Sequence, residues 1–168
     1  KPIMSKKQLK ARWSDAEFLN KNKELIASVG QNSSALEQAD LAGAVIGYVP
    51  KEPELFAHVW LNHARITRCD LRFAKITTSM NGAVIEDTDF MEAKFNQAGL
   101  MNTKILHCNF TKAHIIADFS DAEFDSCTFA GARISGGSAW AGHGGVRSVF
   151  SDCDFTGTTF IALVFRAT

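Results

Sequence analysis

Residues 83–134 read AVIEDTDFMEAKFNQAGLMNTKILHCNFTKAHIIADFSDAEFDSCTFAGARI, and a large apolar residue returns there at every fifth position. The series is Ile85, Phe90, Phe95, Leu100, Ile105, Phe110 and Ile115, then, after one step of four, Phe119, Phe124, Phe129 and Ile134. Two residues before each stands a small side chain: Ala83, Thr88, Ala93, Ala98, Thr103, Cys108, Ala113, Ala117, Ala122, Cys127 and Ala132. A period of five fits neither the 3.6 of a helix nor the 2 of a strand. The pattern is a structural repeat. If each unit forms one short side of a coil and then turns, equivalent residues stack between coils as strands do, about 4.8 Å apart. The large apolar groups then fill the interior with the small residue against them. The remaining positions face outward and carry Asp87, Asp89, Glu92, Lys94, Asn109, Asp118 and Asp121.

The same unit extends in both directions. Ala-Asp-Leu ends at Leu41, Cys-Asp-Leu at Leu71, Cys-Asn-Phe at Phe110, Ala-Asp-Phe at Phe119 and Cys-Asp-Phe at Phe155. These A-[D/N]-L-x-x units resemble the signature of the pentapeptide-repeat proteins. The resemblance implies an all-β solenoid, a right-handed quadrilateral β-helix with four units per coil. Thr78-Ser79-Met80 fits as a unit shortened by one residue. Four sides per coil would place Leu71, Phe90, Phe110, Phe129 and Phe150 on one side as an aromatic stack. Thirteen Phe against one Tyr suit a closed interior in which a hydroxyl finds little to bond with.

Residues 1–30 differ from the rest and are expected to form a short α-helical cap, with the β-helix over 31–168. Ser5-Lys6-Lys7-Gln8 and Ser14-Asp15-Ala16-Glu17 both have capping-box spacing, which predicts two helices, with Gly30 ending the second. An open solenoid end exposes core and strand edges, so such a cap is needed. This segment holds seven Lys/Arg against three Asp/Glu, leaving eleven against fifteen in the repeats. Basic residues are the default on a solvated helix face, which outweighs a DNA-reading helix pair. Direct nucleic-acid binding is not expected.

The register breaks twice, near 47–58 and near 135–147. Gly47, Pro50 and Pro53 read as a loop leaving the coil, and Gly136 to Arg147 contains five glycines around Trp140 and His143. Partner contacts are expected at Tyr48 in the first loop and at Trp140, His143 and Arg147 in the second.

Catalytic constellations are not supported. His-Gly-Gly at 143–145 lacks a G-x-S-x-G elbow, and no Lys-Ser/Thr follows the glycines to cradle phosphate. The carboxylates Glu86, Asp87, Asp89 and Glu92 sit where a solvated solenoid must be polar anyway. Cys69, Cys108, Cys127 and Cys153 all occupy the small inward slot, without C-x-x-C pairs or zinc spacing to a histidine. Buried stacked thiols are expected rather than bridges, a usage that suits a reducing compartment. No metal or cofactor is expected, and no apolar run is long enough to span a membrane.

The function that follows is a non-enzymatic protein-binding scaffold, since stacked coils make a rigid extended surface. The resemblance implies an alternative. The best understood pentapeptide-repeat members look like B-form DNA in shape and negative charge and bind type II topoisomerases such as DNA gyrase, and Qnr-type members project two loops. The departure is electrostatic, because four net negative charges on the repeats are few for a duplex surrogate. The start at Lys-Pro-Ile without Met and the end in mid-repeat at Phe165 to Thr168 suggest a piece of a longer bacterial protein or secreted effector. Its expected place is the bacterial cytoplasm or, for an effector, a host cell. A homodimer through the uncovered C-terminal coil is also expected.

Overall fold

The computed structural model describes residues 2–30, 32–136, 147–161 and 163. The repeats wind into a right-handed quadrilateral β-helix. Side 1 is a six-stranded parallel sheet of β1 (Ala35–Glu37), β3 (Arg65–Thr67), β5 (Val84–Glu86), β7 (Lys104–Leu106), β9 (Glu123–Asp125) and β11 (Val149–Ser151), in that order. Side 3 is a second parallel sheet of β2 (Val45–Ile46), β4 (Lys75–Ile76), β6 (Lys94–Gly99), β8 (His114–Asp118), β10 (Arg133–Ser135) and β12 (Thr159–Ile161). Side 2 is held by single parallel bridges running Asp40, Asp70, Asp89, Asn109, Thr128 and Asp154. On side 4, Leu61, Met80 and Leu100 donate their amides to Ser79, Gly99 and Asp118 of the next coil.

Each coil closes because its corners supply turns. Ala74, Ala93, Ala113 and Ala132 donate to the carbonyls of Leu71, Phe90, Phe110 and Phe129 three residues earlier, and Ala83 and Ala122 do the same at the opposite corner. The second residue after the inward one takes positive φ, as at Gln38, Asp87, Asn102, His107, Asp121 and Asp152. Asn, Asp and His tolerate this region better than most residues. Local backbone preference and the five-residue repeat therefore agree.

The interior is a set of columns. Phe90, Phe110 and Phe129 stack with ring centroids 5.0 Å apart and planes within 4°. Side 2 continues into Phe155, 5.3 Å from Phe129, rather than into Phe150. Phe150 belongs to side 1, stacked 4.7 Å from Phe124. The expected aromatic column is thus correct to Phe129 and wrong at its last member. The reason is that a break in the repeat separates Ile134 on side 3 from Phe150 on side 1, and units cannot be counted through it.

The N-terminal segment forms α1 (Lys6–Ala11), a 3-10 turn (Arg12–Ser14), α2 (Ala16–Lys21) and α3 (Lys23–Ser28), one helix more than the capping boxes predict. The first box is present, with Ser5 Oγ accepting from the Gln8 amide and Gln8 Oε1 accepting from the Ser5 amide. The second is not. Ser14 is taken up by the 3-10 turn, and Asp15 caps α2 instead by accepting from the Glu17 amide. Trp13 lies over the open coil, its ring 5.1 Å from Phe18 and 5.6 Å from Phe56, while its Nε1–H donates to Ala42 O at 2.8 Å. Helix α1 does more than cover the end. Leu9 packs outside the tube with Ala42 and Phe73, and Lys6 reaches Glu92 two coils further on.

Candidate protein-interaction surface

The outer slots of each coil are fixed by the same register that fills the interior, so side chains of equal rank form ladders. Along the edge between sides 1 and 2 these are mainly acidic: Glu37, Asp40, Asp70, Glu86, Asp87, Asp89, Asp125, Asp152 and Asp154. Part of this charge is structural. Asp40, Asp70, Asp89, Asp118 and Asp154 each accept from the backbone amide two residues on, with Asn109 in the same role, so the carboxylates hold corners. Arg68 pairs with Glu37, and Arg72 with Asp70 at 2.7 Å. The edge between sides 2 and 3 has the opposite sign, carrying Lys75, Lys94, Lys112, His114 and Arg133.

One acid fastens the cap. Arg12 is buried and donates through Nη1 and Nη2 to both oxygens of Asp40, at 2.9 and 2.6 Å, and through Nη2 to Ala42 O at 3.0 Å. Burial alone would push the Asp40 carboxyl up, but the Arg12 hydrogen bonds and charge outweigh it and hold the group below the usual carboxylate range.

The cysteines stand in one column with Ala39 and Thr88. Each thiol donates to the carbonyl two residues earlier and to the inward residue of the preceding coil's side 1. Thus Cys108 Sγ lies 3.4 Å from Leu106 O and 3.7 Å from Ile85 O, and Cys127 Sγ lies 3.4 Å from Asp125 O and 3.5 Å from Ile105 O. All four are free. Burial pushes the Cys69 and Cys153 thiols up, and the hydrogen bond with Cys127, then burial, does so for Cys108. A thiol held protonated, as those three are, is a poor nucleophile and a poor metal ligand, whereas the hydrogen bond with Cys108 lowers the Cys127 pKa. Among the described residues, no cluster of three His, Cys, Asp or Glu side chains could hold a metal ion, and no helix is long and apolar enough to cross a membrane.

Of the residues singled out from sequence, Tyr48 is exposed where the first loop leaves side 3, its carbonyl accepting from Thr77 Oγ1 at 3.2 Å. Arg147 is exposed but engaged: Nε and Nη2 grip Asp121 at 2.6 and 2.9 Å, fastening the chain after the second loop to the fourth coil. That pairing raises the Arg147 pKa and lowers that of Asp121. Trp140 and His143 lie outside the described residues, as does the chain end at 164–168, where the homodimer contact is expected. The structure adds Trp60 and Leu55. Trp60 is 64% exposed in an outer slot of side 4, where Ser79, Gly99 and Asp118 stand in later coils. The signal in the sequence was a tryptophan at a polar position one residue before an inward leucine. Tyr48, Leu55 and Trp60 all belong to the first coil and its loop. Phe56 between them turns back into the tube, bridged to Ile46.

No family model and no curated protein matches the chain. Among solved structures it is similar to a pentapeptide repeat protein, Rfr23, from the cyanobacterium Cyanothece 51142, with 15% identity over 88% of this chain and 99% of that one and a TM-score of 0.47. It is similar too to full-length QnrB1, a plasmid-mediated fluoroquinolone resistance protein, with 14% identity, coverage of 78% and 84% and a TM-score of 0.32. A third is a pentapeptide repeat protein of the Arabidopsis thaliana thylakoid lumen, with 15% identity, coverage of 84% and 73% and a TM-score of 0.30. The fold itself rests on the coil register.

Proposed function

We propose that this pentapeptide-repeat β-helix is a non-enzymatic protein-binding scaffold whose partner seats on the first-coil flank at Tyr48, Leu55 and Trp60. The observation that carries the reading is Trp60. The large inward residues of the first four coils are buried, whereas Trp60 holds an indole exposed in an outer slot that elsewhere carries Ser, Gly or Asp. Exposed aromatics on a rigid support are what binding hot spots are made of. Packing and corner-forming uses account for the buried thiols and many of the carboxylates. Trp60→Ala with Tyr48→Ala should leave thermal unfolding within about 1 kcal/mol of the parent, since surface substitutions away from packed or strained features cost little. The same variant should lose the proteins retained by the immobilised parent chain. Retention of an identical set by the double variant would overturn the reading.

A second reading, modulation of a type II topoisomerase such as DNA gyrase, is supported by the acidic edge between sides 1 and 2, and opposed by the cationic edge beside it. A duplex surrogate must offer anionic charge to a cationic groove. A supercoiling assay with and without the protein separates the two readings. Inhibition or protection that is lost in an Asp87→Lys, Asp125→Lys variant supports the second.

A further inference from the structure

On side 3 the slot before the inward residue holds Lys75, Lys94, His114 and Arg133 in four successive coils, directly in register. Lys75 and Lys94 stand directly opposite one another, and like charges so placed on adjacent strands oppose folding. The edge carries two carboxylates, and both are engaged: Glu52 with Lys75, and Glu92 with Lys6 of α1. Among the described residues no carboxylate pairs with Lys94, Lys112 or Arg133, and all three are exposed. Lys10 of α1 adds to the crowding. Burial first, and then the charges of Lys75, Lys6 and Lys94, lower its pKa.

We infer that this ladder is a docking edge for an acidic, amphipathic α-helix of the partner protein, laid along the tube axis. The inference rests on the scaffold reading above and names the chemistry of the partner. Length selects the occupant. Four rungs at one coil each span about 14 Å. Carboxylates at i, i+3, i+7 and i+10 of a helix span about 15 Å along one face. Four same-face carboxylates of an extended strand would span about 20 Å, and four successive phosphates of one duplex strand rise about 10 Å along the duplex axis while winding away from a straight line. Only the helix keeps step with the coils. The edge also already accepts a helix, since α1 lies against Phe73 and Glu92 beside it.

The test uses the whole chain and fluorescence anisotropy with a labelled alanine-based helical peptide of roughly 14 residues carrying Glu at i, i+3, i+7 and i+10. Comparison probes are a peptide of the same composition with Glu spread around the helix and a single-stranded oligodeoxynucleotide of equal charge. The striped peptide should bind most tightly, more weakly as salt is raised, and at least about tenfold less tightly to Lys94→Glu, Arg133→Glu or the neutral Lys94→Gln, Arg133→Gln. Lys104→Glu, in the equivalent slot of side 1, should leave binding within about twofold. Equal binding of both peptides, tighter binding of the oligonucleotide, insensitivity to the ladder variants or no binding at about 1 mM would each overturn the inference. These outcomes do not depend on Trp60, so the flank and the ladder fail separately.

Discussion

The first coil and the third and fourth coils are built from the same unit, yet they behave as different objects. In coils three and four every side takes its five or four residues, every inward slot is filled and each corner repeats the last. The first coil spends its interval from Gly47 to Val59 on a loop, inserts Phe56 as an additional inward ring and is closed by Trp13 from a separate segment. The regular coils are held by neighbours of their own kind on both faces. The first has such a neighbour on one face only, and the cap replaces the other with side-chain bonds: Trp13 to Ala42, and Arg12 to Asp40 and Ala42. Regularity gives stability here, while the irregular coil carries the exposed aromatics.

The largest effect should come from removing a ring between two others. Phe110 is fully buried and stacked on both faces, so Phe110→Ala is expected to cost about 4 kcal/mol in urea unfolding. Trp13→Ala should cost somewhat less, about 3 kcal/mol, because the end of a repeat array can fray without the middle. Hydrogen exchange should then quicken in the first coil and leave the amides of Phe110 and Phe129 protected.

Two glycines with nearly equal backbone angles make a finer contrast. Gly43 has φ +75°, and a Cβ there would lie 2.5 Å from Leu9 O in α1; Gly131 has φ +67° and meets only the Lys112 side chain at 3.4 Å. Gly131→Ala should cost about 1 kcal/mol from conformation alone. Gly43→Ala should cost about 2 kcal/mol or more, with α1 lifted from the tube, seen as exposure of Leu9 to exchange. The smallest effect concerns acid. Asp40 has a depressed folded-state pKa, so its contribution is present above the unfolded value of about 3.9 and lost as pH falls through the folded one. Asp40→Asn should therefore be less stable than the parent at pH 7 by about 1 kcal/mol or less, the pair being partly exposed, with the difference closing as pH falls through the depressed folded-state value.

The tube was legible because its rule is local. A small residue, a polar one and a large apolar one recur at one spacing, and the four-residue unit at Met80 could be counted through. Phe150 was misplaced because a loop has a length but does not state how many sides it replaces. Ser14 was misread because Ser14 and Asp15 both qualify as caps, and the 3-10 turn that chooses between them is set by Trp13 packing on the coil. The lateral role of α1 depends on Leu9 meeting Phe73, two segments whose proximity no spacing encodes. For the surface, a loop singles out Tyr48, whereas Trp60 sits inside an intact repeat whose spacing alone does not mark it as exposed. The cationic ladder needs the side assignment first, since Lys75, Lys94, His114 and Arg133 stand at 19- and 20-residue intervals.

All of these readings depend on which coil lies on which. Through-hydrogen-bond couplings measured by NMR report it residue by residue. The amides of Phe90, Phe110 and Phe129 should couple to the carbonyls of Asn109, Thr128 and Asp154, to which they donate at 2.7, 2.8 and 2.7 Å. Coupling of Phe129 to a carbonyl on side 1, or of any of the three to a carbonyl four residues earlier in the chain, would mean that the square tube with its side-2 phenyl column is not the structure.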